Sequence, residues 1–405
     1  MSLQADSEGV QLSVPERYVL LCLRVGRHID GFVDAYFGPP EWKELVDREE
    51  QVDPRALREE ARALSASLSA ERLEPQRLRW LDAQLRALEC ALTRMTGEEV
   101  PWVDEVECCL GVRPTRTDTT VFQEVHGRLD AALSGGGALR DRYIEWDERN
   151  AVATDKLIPA LDKLKDVLGP RAQTLARMPD EESVTYETVS ATPWIAYNWY
   201  QGHYQSVVEV NADLPISIAL LTDLAAHEAY PGHHTERAAK EAHLLEGLGR
   251  VEASVAIISA PEALISEGIA MNALEQALGP RPYETVADTL SPLGIEFDAA
   301  EVHEVHQAEI ALFAVGVNAA FMLHEDGATI EEARDYLCEW GLESDEKAVR
   351  TGAFLTEPTS RAYVSAYTDG RRLCRAFAER AAGNFTRLLT EQLTTADLVA
   401  AGGEP

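Results

Sequence analysis

His227-Glu228-Ala229-Tyr230-Pro231-Gly232-His233-His234 gathers three of the chain's ten histidines around one carboxylate, shortly after the apolar run Ile216-Ser217-Ile218-Ala219-Leu220-Leu221. Imidazoles and a carboxylate are the ligands Zn²⁺ favours in catalytic sites, where three protein groups leave one position for water. In the H-E-x-x-H helix the two histidines stand one turn apart on one face, with the glutamate between them as general base. Here the fourth-residue position is Pro231, so the motif fails as written. A proline inside a helix clashes with the carbonyl four residues back, that of His227, and Gly232 relaxes the backbone beyond it. The helix is therefore predicted to bulge or break at this point.

On a regular helix His234 would share the face of His227 but lie about 10 Å along the axis, and His233 would point roughly 120° away. A two-residue bulge at Tyr230-Pro231 instead brings Gly232-His233 into the place of the second histidine. This makes His233 the expected second ligand. His234 is the alternate ligand, or else a group that orients a ligand or substrate. The third ligand is expected from a neighbouring helix, and Ser266-Glu267-Gly268-Ile269-Ala270 offers Glu267 beside a glycine that permits close helix approach. Glu262 and Glu275 compete for this role. Glu262 follows Pro261 in a first turn, where acids are favoured by the helix dipole, and Glu275 lies more than two turns further on. His303 and His306, three apart in glutamate-rich surroundings, read as structural or exposed.

Outward from the motif the pattern is mainly helical. Apolar residues recur at helical spacing from Pro15 to about Asp47, with a stop at Gly38-Pro39-Pro40, then from Pro54 to about Ser69 and from Gln76 to about Met95. Cys108 to Asp118 reads as a loop. Thr120 to about Leu133 reads as a helix ending at the Gly135-Gly136-Gly137 turn, and Leu139 to Leu168 as a helix interrupted near Asn150. The β-branched and aromatic runs Ser183–Val189, Trp194–Tyr200 and Ser206–Asn211 predict three short strands of a small antiparallel sheet. The last of these is placed along the cleft to receive an extended peptide. Helical signals resume after Pro215, through the motif, Pro261 to about Leu278, Ala299 to about Leu323, Ile330 to Trp340, Thr359 to about Ala382 and Phe385 to Leu393. The expected architecture is mostly α, a single domain over 1–405, with an N-terminal helical subregion (1–135) and a metal-site body (140–395).

The formal charge of −32 opposes nucleic acid and anionic membrane surfaces, which select basic patches. No run of apolar residues is read as a membrane span. Met1-Ser2-Leu3-Gln4-Ala5-Asp6 carries no basic-then-apolar signal pattern, and the six cysteines form no C-x-x-C pair, so a cytoplasmic protein with reduced thiols is expected.

The string H-E-x-x-P-G-H-H, with Val210-Asn211 and Pro215 before it and Glu267-Gly268-x-Ala270 and Tyr367-x-x-Gly370 after it, resembles the large bacterial family catalogued as domain of unknown function 885. The likeness runs in order over roughly residues 140 to 395. That family is similar in fold to carboxypeptidase Taq and the neurolysin-like zinc peptidases, so the resemblance implies a multi-helix zincin-like peptidase fold. It also implies one Zn²⁺ per chain on His227, His233 and Glu267, with Glu228 as general base for the metal-activated water. The chain departs from the family at Ile269, where an aromatic is usual, and it is shorter than many members. The expected activity is carboxypeptidase-like hydrolysis of a peptide or other small amide, with Tyr367 as oxyanion donor and Tyr363 and Arg361 behind it. The alternative is a closed, non-catalytic metal or ligand site on His227, His233, His234 and Glu267.

Overall fold

The computed structural model describes residues 12–192 and 194–400. Met1–Asp6, read above for a signal pattern, lie outside them. The chain is mostly helical, with two small sheets. Its N-terminal layer comprises α1 (Val14–Gly26), β1 (Val33–Tyr36), α2 (Pro40–Arg48), α3 (Pro54–Ser67) and α4 (Pro75–Met95). Tyr18 of α1 and Trp80 of α4 meet edge to face at 6.0 Å at the centre of this layer's own apolar core. Pro54 at the first helical position and Asp53, whose side chain accepts the Arg55 N–H, start α3 as sequence rules expect.

One helix from Pro15 to Asp47 was expected, and the structure corrects it. The helix ends at Gly26, and Val33–Tyr36 instead pairs antiparallel with β5 (Val255–Ile257), 220 residues or so downstream. A short apolar run satisfies helical and strand periodicity equally well, and a distant partner decided the matter.

α5 (Trp102–Leu110), α6 (Thr119–Ala132), α7 (Leu139–Arg149) and α8 (Thr154–Ala176) lead into the sheet. α5 falls partly in the stretch read as a loop, because its buried side chains Trp102, Val106, Cys109 and Leu110 follow a proline and end at a left-handed Gly111. The three predicted strands exist as β2 (Ser183–Val189), β3 (Ala196–Gly202) and β4 (Gln205–Asn211), but the sheet is mixed. Its order is β2-β4-β3, with β2 parallel and β3 antiparallel to β4. The β2–β3 connection crosses the end of β4, where the Asn211 side-chain amide donates to the carbonyls of Thr192 and Trp194 at 3.1 and 3.2 Å. β4 is thus central and paired on both sides. The strand expected to receive a peptide has no free edge, and the open edge nearest the motif belongs to β3.

The β3–β4 hairpin turns through His203 and Tyr204, both with positive φ (51° and 60°), a conformation that costs a non-glycine residue about 1 kcal/mol or more. The buried carboxylate of Glu241 offsets this by accepting the N–H groups of His203 (3.0 Å) and Tyr204 (3.2 Å) and the Tyr200 hydroxyl.

The body is completed by α9 (Ile218–Leu224), α10 (His233–Lys240), α11 (Pro261–Ala270), α12 (Ala273–Leu278), α13 (Pro282–Leu290), α14 (Ala299–His324), α15 (Ile330–Trp340), α16 (Asp345–Thr356), α17 (Arg371–Arg380), α18 (Asn384–Thr390) and α19 (Thr395–Ala400). The helix expected over Thr359–Ala382 is shorter: turns run to Tyr363, a π turn spans Ala366–Gly370, and α17 follows. α14 is long and apolar enough by composition to cross a membrane, which the sequence reading missed. Some 56% of its apolar window is buried inside the fold, the pattern of a core helix.

α11 and the π turn cross at their backbones. A Cβ on Gly268 would lie 2.3 Å from the Gly370 carbonyl oxygen and 2.5 Å from Cys374 Sγ, and one on Gly370 would lie 2.3 Å from the Leu264 carbonyl oxygen. Two glycines therefore set the spacing between Glu267 and the segment carrying Tyr363 and Tyr367. Gly268→Ala is expected to destabilise the protein by about 1–3 kcal/mol, read as a lowered urea midpoint at unchanged slope; an unchanged midpoint would show that this contact relaxes freely.

Candidate metal centre

The predicted break in the motif helix is present. α9 gives way to a π turn over Ala225–Ala229, the Tyr230–Pro231 peptide is cis, and α10 starts at His233. The Gly232 N–H donates to the Ala226 carbonyl at 2.9 Å, six residues back. A Cβ at position 232 would fall 1.8 Å from the His227 carbonyl oxygen and 2.4 Å from that of Ala226, so only glycine fits.

This path turns the His227 and His233 rings perpendicular to one another, with centroids 4.7 Å apart. Glu267, from α11, completes the group: Nε2 of His227 stands 3.5 Å from Oε2, and Nε2 of His233 stands 3.4 Å from Oε1. One donor atom from each of the three lies within 4.8 Å of the others. Glu262 and Glu275 are not in this group; Glu262 accepts from Lys240 and Glu275 faces Arg375.

The set fits a cation. Glu267 is buried, and its Oε2, beside His227, is an acceptor with no hydrogen-bond partner among the described residues. Its Oε1 accepts the Tyr363 hydroxyl at 2.6 Å, which fixes the carboxylate's orientation. His233 Nδ1 meets Ser266 Oγ at 3.1 Å, and Ser266 in turn donates to Glu236. Ser266 must therefore accept from His233 Nδ1, so Nε2 is the nitrogen that faces Glu267 and whose proton a metal would displace. Lys240 closes the series by donating to both Glu236 and Glu262 at 2.6 Å.

Burial works against charge on Glu267, yet the contacts with His233 and His227 and the Tyr363 hydroxyl hold its carboxyl down at about 2. Burial likewise lowers His233, but Glu267 and Glu228 outweigh it and lift the imidazole to about 9. The Glu228 carboxyl is buried beside the cluster, and burial pushes it up against the pull of His227 and His233. Among the described residues no side chain hydrogen-bonds that carboxylate; Asn198 of β3 instead donates to the Glu228 backbone carbonyl at 2.5 Å.

His234, the alternate ligand, is elsewhere. It is fully buried, with Nδ1 on Ser206 Oγ (2.8 Å) and Nε2 on Glu182 Oε2 (2.9 Å), and burial, only partly opposed by Glu182, holds its pKa down. Both nitrogens are engaged, so His234 anchors the motif to β4, and the closed four-ligand site loses its fourth ligand. Tyr367 lies close enough for Glu267 and Glu228 to act on its hydroxyl, which has no hydrogen-bond partner among the described residues. Its ring packs on Tyr363 (5.7 Å) and Phe313 (5.6 Å). Arg361 is bound to Glu105, away from this role. His306 faces Asp223. Ser266, Glu236, Asn198 and the Asp34–Arg237 pair near Glu228 were not anticipated. Only the spacing of Glu236 and Lys240, four apart, signalled a link of this kind.

No family model matches the chain, and no curated protein matches it by sequence. Solved structures that are similar to it include the following two. One is described as "the putative lipoprotein from Colwellia psychrerythraea" (TM-score 0.53, 14% identity, covering 86% of this chain and 68% of that one). The other is "a putative lipoprotein of unknown function from Shewanella oneidensis" (TM-score 0.49, 11% identity, covering 90% and 76%). The first shows a shared fold and nothing of the chemistry.

Because His233 titrates at about 9 in the metal-free site, a cation at pH 7 must displace its proton. Calorimetry of Zn²⁺ binding in buffers of different ionisation enthalpy is expected to show about one proton released at pH 7, with affinity rising as pH rises toward 9. His227→Ala, His233→Ala and Glu267→Ala are each expected to lose the metal, while His234→Ala retains about one ion per chain by mass spectrometry.

Proposed function

We propose that this chain is a zinc-dependent hydrolase of peptide or other small amide bonds, with a zincin-like centre of the kind implied by its resemblance to the domain of unknown function 885 family. The observation that carries the reading is Glu228. A closed structural site has no use for a buried carboxylate that, among the described residues, makes no hydrogen bond and stands beside the His227–His233–Glu267 group. When bound, Zn²⁺ supplies Lewis acidity that polarises a carbonyl and makes water acidic near neutral pH.

The chain's own residues have separable tasks. Glu228, whose carboxyl burial pushes above the ordinary carboxylate value, accepts a proton from the attacking water and returns it to the leaving amine. Tyr367 carries a free hydroxyl suited to donate to oxygen as negative charge develops there, whereas the Tyr363 hydroxyl is already committed to Glu267 and orients it. Ser266 and Glu236 keep His233 in the tautomer that presents Nε2. β3, with its open edge and with Asn198 on the Glu228 carbonyl, replaces β4 as the strand offered to an extended substrate. The cytoplasmic reading is kept as a proposal and rests on six free cysteines.

Glu228→Gln is expected to abolish hydrolysis in a peptide-library screen while leaving metal content at one ion per chain. Full activity in that variant, or no activity in a metal-replete wild type against peptide, amide and ester libraries, would remove the hydrolase reading. Tyr367→Phe is expected to reduce kcat more than about tenfold with metal retained, and Tyr363→Phe to weaken metal retention first.

A further inference from the structure

Behind the metal-site helix lies a second cavity that the proposed hydrolysis does not use. α9, α12, α14 and α17 border a partly open space of about 200 Å³, lined among others by Asp223, Glu275, His303, His306, Arg371 and Arg375. Two arginines four apart on α17 and two histidines three apart on α14 thus converge on one space, in a chain whose net charge is −32.

Their pairing is incomplete. Asp223 Oδ1 faces His306 Nε2 at 3.3 Å, and Arg375 is held by Glu275 (3.2 Å) and Glu379 (2.8 Å). Arg371 lines the space with its guanidinium 3.9 Å from Glu275, too long for a hydrogen bond, while its Nε is packed away from the space and has no partner among the described residues. Nδ1 of His303 and Nδ1 of His306 are also buried without partners among the described residues, and His306 is 5% exposed. Burial and the like charge of Arg375 push the Arg371 guanidinium below its ordinary pKa, as expected for a cation lacking a full counterion.

A second metal is not the occupant that fits. The donor atoms of His303, His306 and Asp223 do not converge within 4.8 Å as those of His227, His233 and Glu267 do, and two guanidinium groups beside them would repel a cation. The space is partly open to solvent and large enough to admit a phosphate or a short carboxylate.

We propose that this cavity is a binding site for a small oxyanion, a phosphate or a short-chain carboxylate, gripped by the Arg371 guanidinium fork with Arg375 and His306 beside it. Arginine presents two parallel N–H donors that match either anion, so the shared chemistry is a planar or tetrahedral oxyanion held by a charge-assisted pair.

The test is calorimetric titration of the full chain with inorganic phosphate and, separately, with acetate. Saturable binding of at least one is expected, weakened about tenfold or more by Arg371→Gln and by His306→Gln, with Arg371→Lys intermediate. Binding of phosphate alone assigns a phosphate site, and of acetate alone a carboxylate site. Far-UV circular dichroism checks that each variant is folded, and Arg375→Gln carries the same expectation if Arg371→Gln is not. His227→Ala, which dismantles the metal cluster, is expected to keep the binding. Absence of saturable binding by both anions, equal affinity in wild type and the cavity variants, or loss of binding in His227→Ala would each overturn the proposal.

Discussion

The carbonyl oxygen of His227 and the Cα of Gly232 are so close that no side chain can stand between them, and the arrangement of the centre follows from that contact. A continuous helix would carry His233 away from His227. By widening into a π turn and restarting at His233, the chain puts five residues between its two histidines and still presents both rings to Glu267. The widened turn gives up regular backbone hydrogen bonds, and the loss is offset locally. Gly232 N–H reaches back to Ala226, and the Thr235 hydroxyl satisfies the Ala229 carbonyl at 3.1 Å.

Around this break the polar groups act as a scaffold. Buried ions are costly unless each finds several partners, and the series His233, Ser266, Glu236, Lys240, Glu262 meets that condition across α10 and α11. On the opposite side, His234 is held between Ser206 and Glu182, and Tyr230 donates to the same Glu182 carboxylate at 2.6 Å. Adjacent residues thus take opposite parts: His233 presents a free Nε2 to the cluster, while His234 has none to offer.

The sequence showed the helical character, the existence of the three strands, the break at Pro231 and the grouping of His227, His233 and Glu267, because these depend on local pattern and on the chemistry of few residue types. It did not show β1, the parallel pairing of β2 with β4, or the two-residue link at Met271-Asn272 that separates α11 from α12, because these depend on partners far along the chain. Glu236 and Ser266 were invisible for a related reason. Among 69 acidic residues, nothing local distinguishes a carboxylate that reaches a buried serine from one that reaches solvent. Tyr363 was read as a reserve for Tyr367, whereas it binds Glu267, a difference of one helical turn that only the π turn at Ala366–Gly370 resolves.

The mixed sheet has a consequence for the behaviour of the chain in concentrated solution. An unpaired strand beside a cleft ordinarily invites another molecule to extend the sheet, the first step of edge-to-edge aggregation. β3 ends after seven residues at a left-handed turn that a new partner could not follow. Its Tyr197 is tied to Asp34 at 2.6 Å, and Trp194, Tyr197 and Trp199 pack on one another in bulky contact. The edge is therefore too short and obstructed to template a second copy of itself.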